Sequence, residues 1–295
     1  MALPANQRAS SGAARSSSTA SERLAALTKT AQFYWWVGHM VVLLFGTMYY
    51  LKRPFGWKEA NWYYSKAYLG ALTSYAIVIY KTYGPPQLNL AFVQRLVVDE
   101  NVEYLLLAFC WYWYRPIVVT LLPFVVFSLF HVITYTRSSL IPLFFPDVAG
   151  EIQRARQGEA AGNAASGLSV PARVSKFMGD WSSKYYSPAL REVGVWEVAV
   201  IGVWLVLGAV TFQTPLLAPL GYFQFLRLRY ALSAPTRAAF RRVRVLLDRL
   251  LTPPAAHPSV PAVATDLYIK ARDYLARMGS MITDPAAAAA AAQQQ

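Results

Sequence analysis

Between Tyr104 and Tyr135 the chain carries a single charged residue, Arg115. As one straight helix this run of 32 residues would extend about 48 Å at ~1.5 Å per residue. The hydrocarbon core of a bilayer is only about 30 Å thick. One crossing therefore cannot use the whole run. Proline removes a backbone donor and disfavours helix in the residue before it, so Arg115-Pro116 is the natural break. The spacing predicts a short apolar arm over Tyr104–Tyr114 and a longer one over Pro116–Tyr135. The longer arm could span alone. Alternatively, the pair could enter and leave on one side as a hairpin, with Arg115 snorkelling to an interface. Such a run predicts an integral membrane protein.

The rest of the chain supports that reading. Aromatic residues cluster where apolar segments end: Phe33 to Trp36, Tyr49-Tyr50, Trp62 to Tyr64 and Trp111 to Tyr114. Tyr and Trp favour the headgroup level, being apolar with one polar tip. Burial in a core explains single aromatics but not clusters repeated at segment ends. Further apolar segments are expected over about 31–51, 62–83 and 195–226, which together with 104–135 form a membrane domain over 31–230. Gly70 and Ala71 allow close helix packing in the second segment. Pro215 and Pro219 break the last one, leaving a short arm over Leu216–Leu226. The predicted class is all-α: polytopic membrane helices with Pro-broken or re-entrant hairpin segments, plus interfacial amphipathic helices.

Outside these segments the chain is polar or amphipathic. Residues 1–30 form a Ser/Ala-rich N-terminus expected to be disordered, with a short helix starting near Ser21 as its cap. Residues 87–103 suggest an interfacial helix, and Asp99, Glu100 and Glu103 suggest a solvated helix start. Residues 137–194 look like a polar connection. Within it, Phe177, Trp181 and Tyr185 fit a helix lying on the membrane, with Lys176 and Lys184 among the headgroups. Residues 231–282 form a basic tail with two amphipathic patterns, and 283–295 are low-complexity.

The net charge is +13, from 28 Lys+Arg against 15 Asp+Glu. The excess sits at the ends: residues 1–30 hold four basic and one acidic residue, and residues 227–295 hold ten and four. Such ends suit anionic cytosolic lipid, and both termini are expected to be cytosolic. Nucleic acid is not an expected partner, because no base-stacking or groove-reading module is apparent. From Pro235 to Leu251, Phe240, Val243, Leu247 and Leu250 share one helical face. Arg237, Arg241, Arg242, Arg244 and Arg249 complete a basic amphipathic helix expected to bind membrane.

Nothing in the sequence predicts catalysis, a cofactor or a metal. The three histidines, His39, His131 and His257, are dispersed. The one cysteine, Cys110, excludes an intrachain disulfide. Ser128, His131 and Tyr135 recur at i, i+3, i+7 and predict a polar stripe facing other helices. Intramembrane Lys66, Arg115 and His131 keep a channel or transporter subunit as the alternative.

Two stretches carry a resemblance. One is Phe127-Ser128-Leu129-Phe130-His131-x-x-Thr134-Tyr135-Thr136-Arg137. The other is Tyr222-x-x-Phe225-Leu226-x-Leu228-Arg229-Tyr230, followed by Phe240 and Arg244. Asp99-Glu100 with Tyr104-Leu105-Leu106 is a weaker third. Over about residues 60–250 the chain resembles the transmembrane protein 33 family, which includes the fungal tetra-spanning and pore-membrane proteins. The resemblance implies a multi-pass protein of the endoplasmic reticulum and nuclear envelope that shapes curved membrane and supports tubular or pore organisation. It implies no enzyme activity. Expected partners are curved and anionic lipid, ER-shaping proteins, nucleoporins and an import receptor.

Overall fold

The computed structural model describes residues 19–87, 89–160 and 167–283. The expected disorder of residues 1–18 and the low-complexity tail from 284 lie outside them. All regular structure among the described residues is helical, as the patterning predicts.

The chain enters through α1 (Ala20–Thr28). Its cap is Thr19, not Ser21: Thr19 and Glu22 form a reciprocal capping box, which satisfies two orphan donors at once. Thr30 caps α2 (Ala31–Lys52). The following turn is shorter than the gap between the expected segments 31–51 and 62–83, because α3 begins at Trp57 and runs to Tyr83. Gly38 and Gly70 make the α2–α3 crossing close. A Cβ on Gly70 would lie 2.6 Å from the Gly38 carbonyl oxygen. Ala60, Ala67 and Ala71 line the same face of α3, fully buried or nearly so.

Helix α4 (Leu90–Val97) lies beyond α3. Asp99 then caps α5 (Glu100–Trp113), accepting from the backbone of Asn101 and Val102. At 14 residues, α5 is about 21 Å long and falls short of a full crossing. It stops just before Arg115-Pro116, and its C-cap Tyr114 is already extended. The longer arm starts later than Pro116. A short 3-10 turn (Val118–Thr120) precedes α6 (Leu122–Tyr135), with Pro123 in the first turn where its missing N–H costs nothing. It also runs further than Tyr135, through a π-turn (Thr136–Leu140) into α7 (Ile141–Phe144).

The connection over 137–194 is largely helical. After α8 (Val148–Ala160), α9 (Val170–Val195) continues through a π-turn (Trp196–Ile201) into α10 (Gly202–Val210). This unbroken run of 41 residues contains Pro188. The stretch around Phe177, Trp181 and Tyr185 is therefore not a separate surface helix. It is the upper half of a helix that continues into the apolar segment. Trp181 stacks on Phe130 of α6, with ring centroids 5.5 Å apart, while Phe177 and Tyr185 face outward. Helix α11 (Leu217–Leu232) runs further than Leu226. It is followed by α12 (Ala234–Leu251) and α13 (Ala262–Thr283). Among the described residues, two helices meet both the length and the hydropathy needed to cross a membrane: Val118–Phe144 and Val170–Val210.

Side-chain pairings fix the direction of each element. Gly46 meets Val125, His39 meets Ser128 and Tyr50 meets Val118, so α6 runs antiparallel to α2. Trp111 meets Tyr222 and Glu100 meets Arg229, so α11 runs antiparallel to α5. The result is three helical hairpins: α2–α3, α5–α6 and α10–α11. Their turns (53–56, 114–121 and 211–216) point towards one end of the bundle. Both described chain ends, α4, α8, α12 and α13 gather at the other.

Candidate functional site

Two polar clusters and one basic helix carry the residues that the sequence singles out. The first cluster lies between α2, α3 and α6. Ser128 bonds the His39 ring at 2.9 Å, and Ser74 donates to the Trp35 carbonyl at 3.1 Å. His131 packs its ring 4.5 Å from His39 and 5.1 Å from Trp35. Tyr135 stacks on Trp36 at 5.7 Å. The stripe of Ser128, His131 and Tyr135 thus faces a neighbouring helix and ties α6 to α2. Arg137, one turn on, crosses to α9: a Cβ on Gly179 would come 2.8 Å from its guanidinium carbon.

The second cluster joins α3, α5, α11 and the π-turn. Arg229 of α11 pairs with Glu100 at 2.7 Å and sits over the Tyr104 ring at 5.2 Å. The Tyr104 hydroxyl donates to Glu197 at 2.8 Å. The Tyr222 hydroxyl donates to the Glu197 carbonyl at 3.0 Å. Phe225 packs edge-on against Tyr104 at 5.7 Å, and Tyr75 stacks on Tyr104 at 5.9 Å. Glu197 is 3% exposed and Glu103 6%, and neither Glu103 carboxylate oxygen has a hydrogen-bond partner among the described residues. One expectation changes here: Glu103 is buried rather than part of a solvated helix start. Glu197, near the start of an apolar segment, is buried in the interior as well. A buried carboxylate needs a counter-charge or donors. For Glu197 the donor is Tyr104, and Arg229 is the nearby cation. Glu197, inside the candidate span Val170–Val210, thus has a cation from α11 beside it, which the sequence alone does not reveal.

On α12 the periodicity is as expected, but the protein covers part of it. Phe240 packs edge-on against Tyr230 at 5.3 Å, and Val243 and Leu247 are half-buried. Arg237 is drawn inward, donating to the carbonyls of Tyr230 and Ala231 at the end of α11. These four residues dock the helix. The outer face is a different set: Val245, Leu246 and Leu250 are exposed, interleaved with exposed Arg241, Arg242, Arg244 and Arg249. Arg242 also reaches Glu192 at 2.8 Å.

Helix α13 folds back on α12 through Asp248, which accepts from the Tyr268 hydroxyl at 2.8 Å and from Arg272 at 3.2 Å. The Tyr268 hydrogen bond, with Arg272 beside it, holds the Asp248 carboxyl below its usual range, while burial and Asp248 push the Tyr268 phenol up to about 12. The docking residues Thr265, Tyr268 and Arg272 share one side of α13. Val263, Leu267 and Tyr274 share the other and are exposed. Leu90, Val93 and Val97 form a similar exposed row on α4. No group of three or more His, Cys, Asp or Glu side chains with metal-holding geometry occurs among the described residues.

The family described as transmembrane protein 33/nucleoporin POM33 matches residues 13–281. Tetra-spanning protein 1 of Schizosaccharomyces pombe is 31% identical over 265 residues, covering 88% of this chain and 88% of that protein. Nucleoporin POM33 of Chaetomium thermophilum is 30% identical over 267 residues, covering 86% and 89%. The pore membrane protein of 33 kDa of Saccharomyces cerevisiae is 27% identical over 260 residues, covering 84% and 83%. No solved structure matches the chain. The family match extends from the N-terminal segment into α13 and contains both polar clusters and the basic helix: the chain belongs to the transmembrane protein 33/nucleoporin POM33 family.

Proposed function

We propose that this chain is a non-enzymatic scaffold that shapes curved membrane in the endoplasmic reticulum and nuclear envelope, with both termini in the cytosol. The observation that carries this reading is the unequal mass at the two ends of the bundle. One end carries both described chain ends and α4, α8, α12 and α13; the other carries three turns. Exposed apolar rows on α4, α12 and α13 lie at the heavy end. Helices that rest in one leaflet with such rows buried add area to it, and the bilayer bends to accommodate them. The arginines of α12 add attraction to the anionic cytosolic surface, about 1 kcal/mol each. The names of the relatives support a pore-membrane setting. Nucleoporins, ER-shaping proteins and an import receptor reading the α12 arginines are the partners that fit it.

A channel or transporter remains the second reading, favoured by buried Glu103, Glu197 and Arg229. Reconstituting the full chain into liposomes separates the two. Tubules or narrowed vesicles, with ion flux equal to empty liposomes, support the scaffold. Flux above that background on unchanged spherical vesicles supports the channel.

A further inference from the structure

Two of the three hairpin turns meet and line an open groove. It has a volume of about 510 Å³ and is lined chiefly by Tyr114, Arg115, Phe212, Gln213, Thr214 and Leu216. The N–H groups at 211–214 in the turn after α10 all find acceptors within the chain. The N–H groups of Gln213 and Thr214 donate to the Gly208 carbonyl at 2.7 and 2.9 Å. Thr211 N–H donates to Leu207 at 3.0 Å, and the Thr214 hydroxyl to Leu205 at 3.3 Å. Backbone that closes its hydrogen bonds without water is the condition for a turn at membrane depth. The side chains around it agree. Phe212 is 95% exposed, and Leu216, Leu217, Phe109 and Trp113 are also exposed. Such a surface belongs in lipid.

Arg115 is the exception on this surface. It is the one charged residue in the groove lining, and its guanidinium has no hydrogen-bond or ion-pair partner among the described residues. Arg115 is exposed, and a guanidinium level with apolar turns is stabilised when it reaches the interface or meets an anion. The groove offers no carboxylate, so an anion for it comes from outside the chain. Beside an apolar tip, the available anion is the phosphate of a lipid headgroup.

We propose that the groove binds one membrane glycerophospholipid. Arg115 holds its phosphodiester through the forked geometry that guanidinium presents to phosphate. The Tyr114 hydroxyl and Gln213 amide line the headgroup end, and the acyl chains lie along Phe212, Leu216 and Leu217. The recognised chemistry is the phosphodiester, so the headgroup alcohol matters little.

Native mass spectrometry of the full chain, released from nanodiscs of phosphatidylcholine mixed with diacylglycerol of the same acyl chains, tests this. Wild type keeps one phospholipid per chain after gentle activation and does not keep diacylglycerol. R115Q loses that phospholipid on the order of tenfold more readily, as loss of a charge-assisted hydrogen bond implies. R115K keeps part of it, R154Q on α8 is unchanged, and excess inorganic phosphate does not displace it. Equal retention in R115Q, equal retention of diacylglycerol, or displacement by inorganic phosphate overturns the proposal. If R115Q does not fold, a photoreactive phospholipid on the wild-type chain decides. Cross-links confined to 109–117 and 212–217 support the site, and cross-links spread along α2 and α3 contradict it.

Discussion

Single side chains hold this bundle together where the chain cannot rely on the hydrophobic effect, since lipid is as apolar as leucine. Arg229 is the clearest case. Its pair with Glu100 is half-solvated, Glu100 being 57% exposed, and is worth little alone. The neighbouring Glu197 is buried, and removing its counter-charge leaves an acid stranded. R229M should therefore lower stability by about 3–5 kcal/mol, whereas R229K should cost much less. Thermal unfolding in detergent measures both, and equal melting of R229M and wild type would refute the role. S128A leaves buried His39 without its 2.9 Å partner. It should cost about 1–3 kcal/mol in the same assay, and an unchanged melting point would mean that a solvent or lipid group replaces the hydroxyl. Spacing along α6 was enough to find the Ser128, His131 and Tyr135 face. Glu197 was not legible in the same way. An acid near the start of an apolar segment reads as interfacial, and its partner Tyr104 lies 93 residues away.

Among the elements, the α2–α3 crossing depends on two facing glycines. G70A would press a methyl group against the Gly38 carbonyl, 2.6 Å away, and against Val41. The helices would have to part, at about 1–3 kcal/mol, so the variant should melt earlier in detergent while G84A, outside the crossing, reports only local strain. The α12–α13 pair should respond to acid. The folded Asp248 pKa is depressed, chiefly by the Tyr268 hydrogen bond. Its contribution is therefore present above the unfolded value of about 3.9 and is lost as pH falls through the lower folded value. Hydrogen-exchange protection factors across α13, corrected for the intrinsic pH dependence of amide exchange, should stay constant from pH 7 to about 5 and fall below about pH 4. Constant protection down to pH 2 would remove Asp248 as the clasp. These elements show where periodicity stops being informative. On α12 it identified a face with Phe240 and Leu247, but it could not say that Tyr230 already covers it. The face left open is set by what α9 and α11 occupy. In α9, the polar stretch over 137–194 reads as a connection separate from the apolar segment that begins at 195. The helix nevertheless continues, because Trp181 and Tyr186 pack on Phe130 before the proline and the Trp196 indole donates to the Val119 carbonyl after it.

At the scale of the whole molecule, the account rests on asymmetry: three hairpins whose turns share one end, and the amphipathic helices at the other. In the reconstituted full chain, Val245→Asp with Leu246→Asp should reduce tubulation on all vesicles. Arg241→Glu with Arg249→Glu should reduce it on anionic vesicles only, since the electrostatic contribution requires a charged surface. Equal tubulation by both variants would detach α12 from the curvature. The asymmetry itself is tested most directly by sidedness. Single cysteines at Phe55, Gly167, Gln213 and Ala255, each in a Cys110→Ser background, can be probed in sealed microsomes with a membrane-impermeant maleimide. The account predicts labelling of 167 and 255 from outside, labelling of 55 only after permeabilisation, and no labelling of 213 in either state. Protection of 167 in intact microsomes, or ready labelling of 213 by the aqueous reagent, would contradict it.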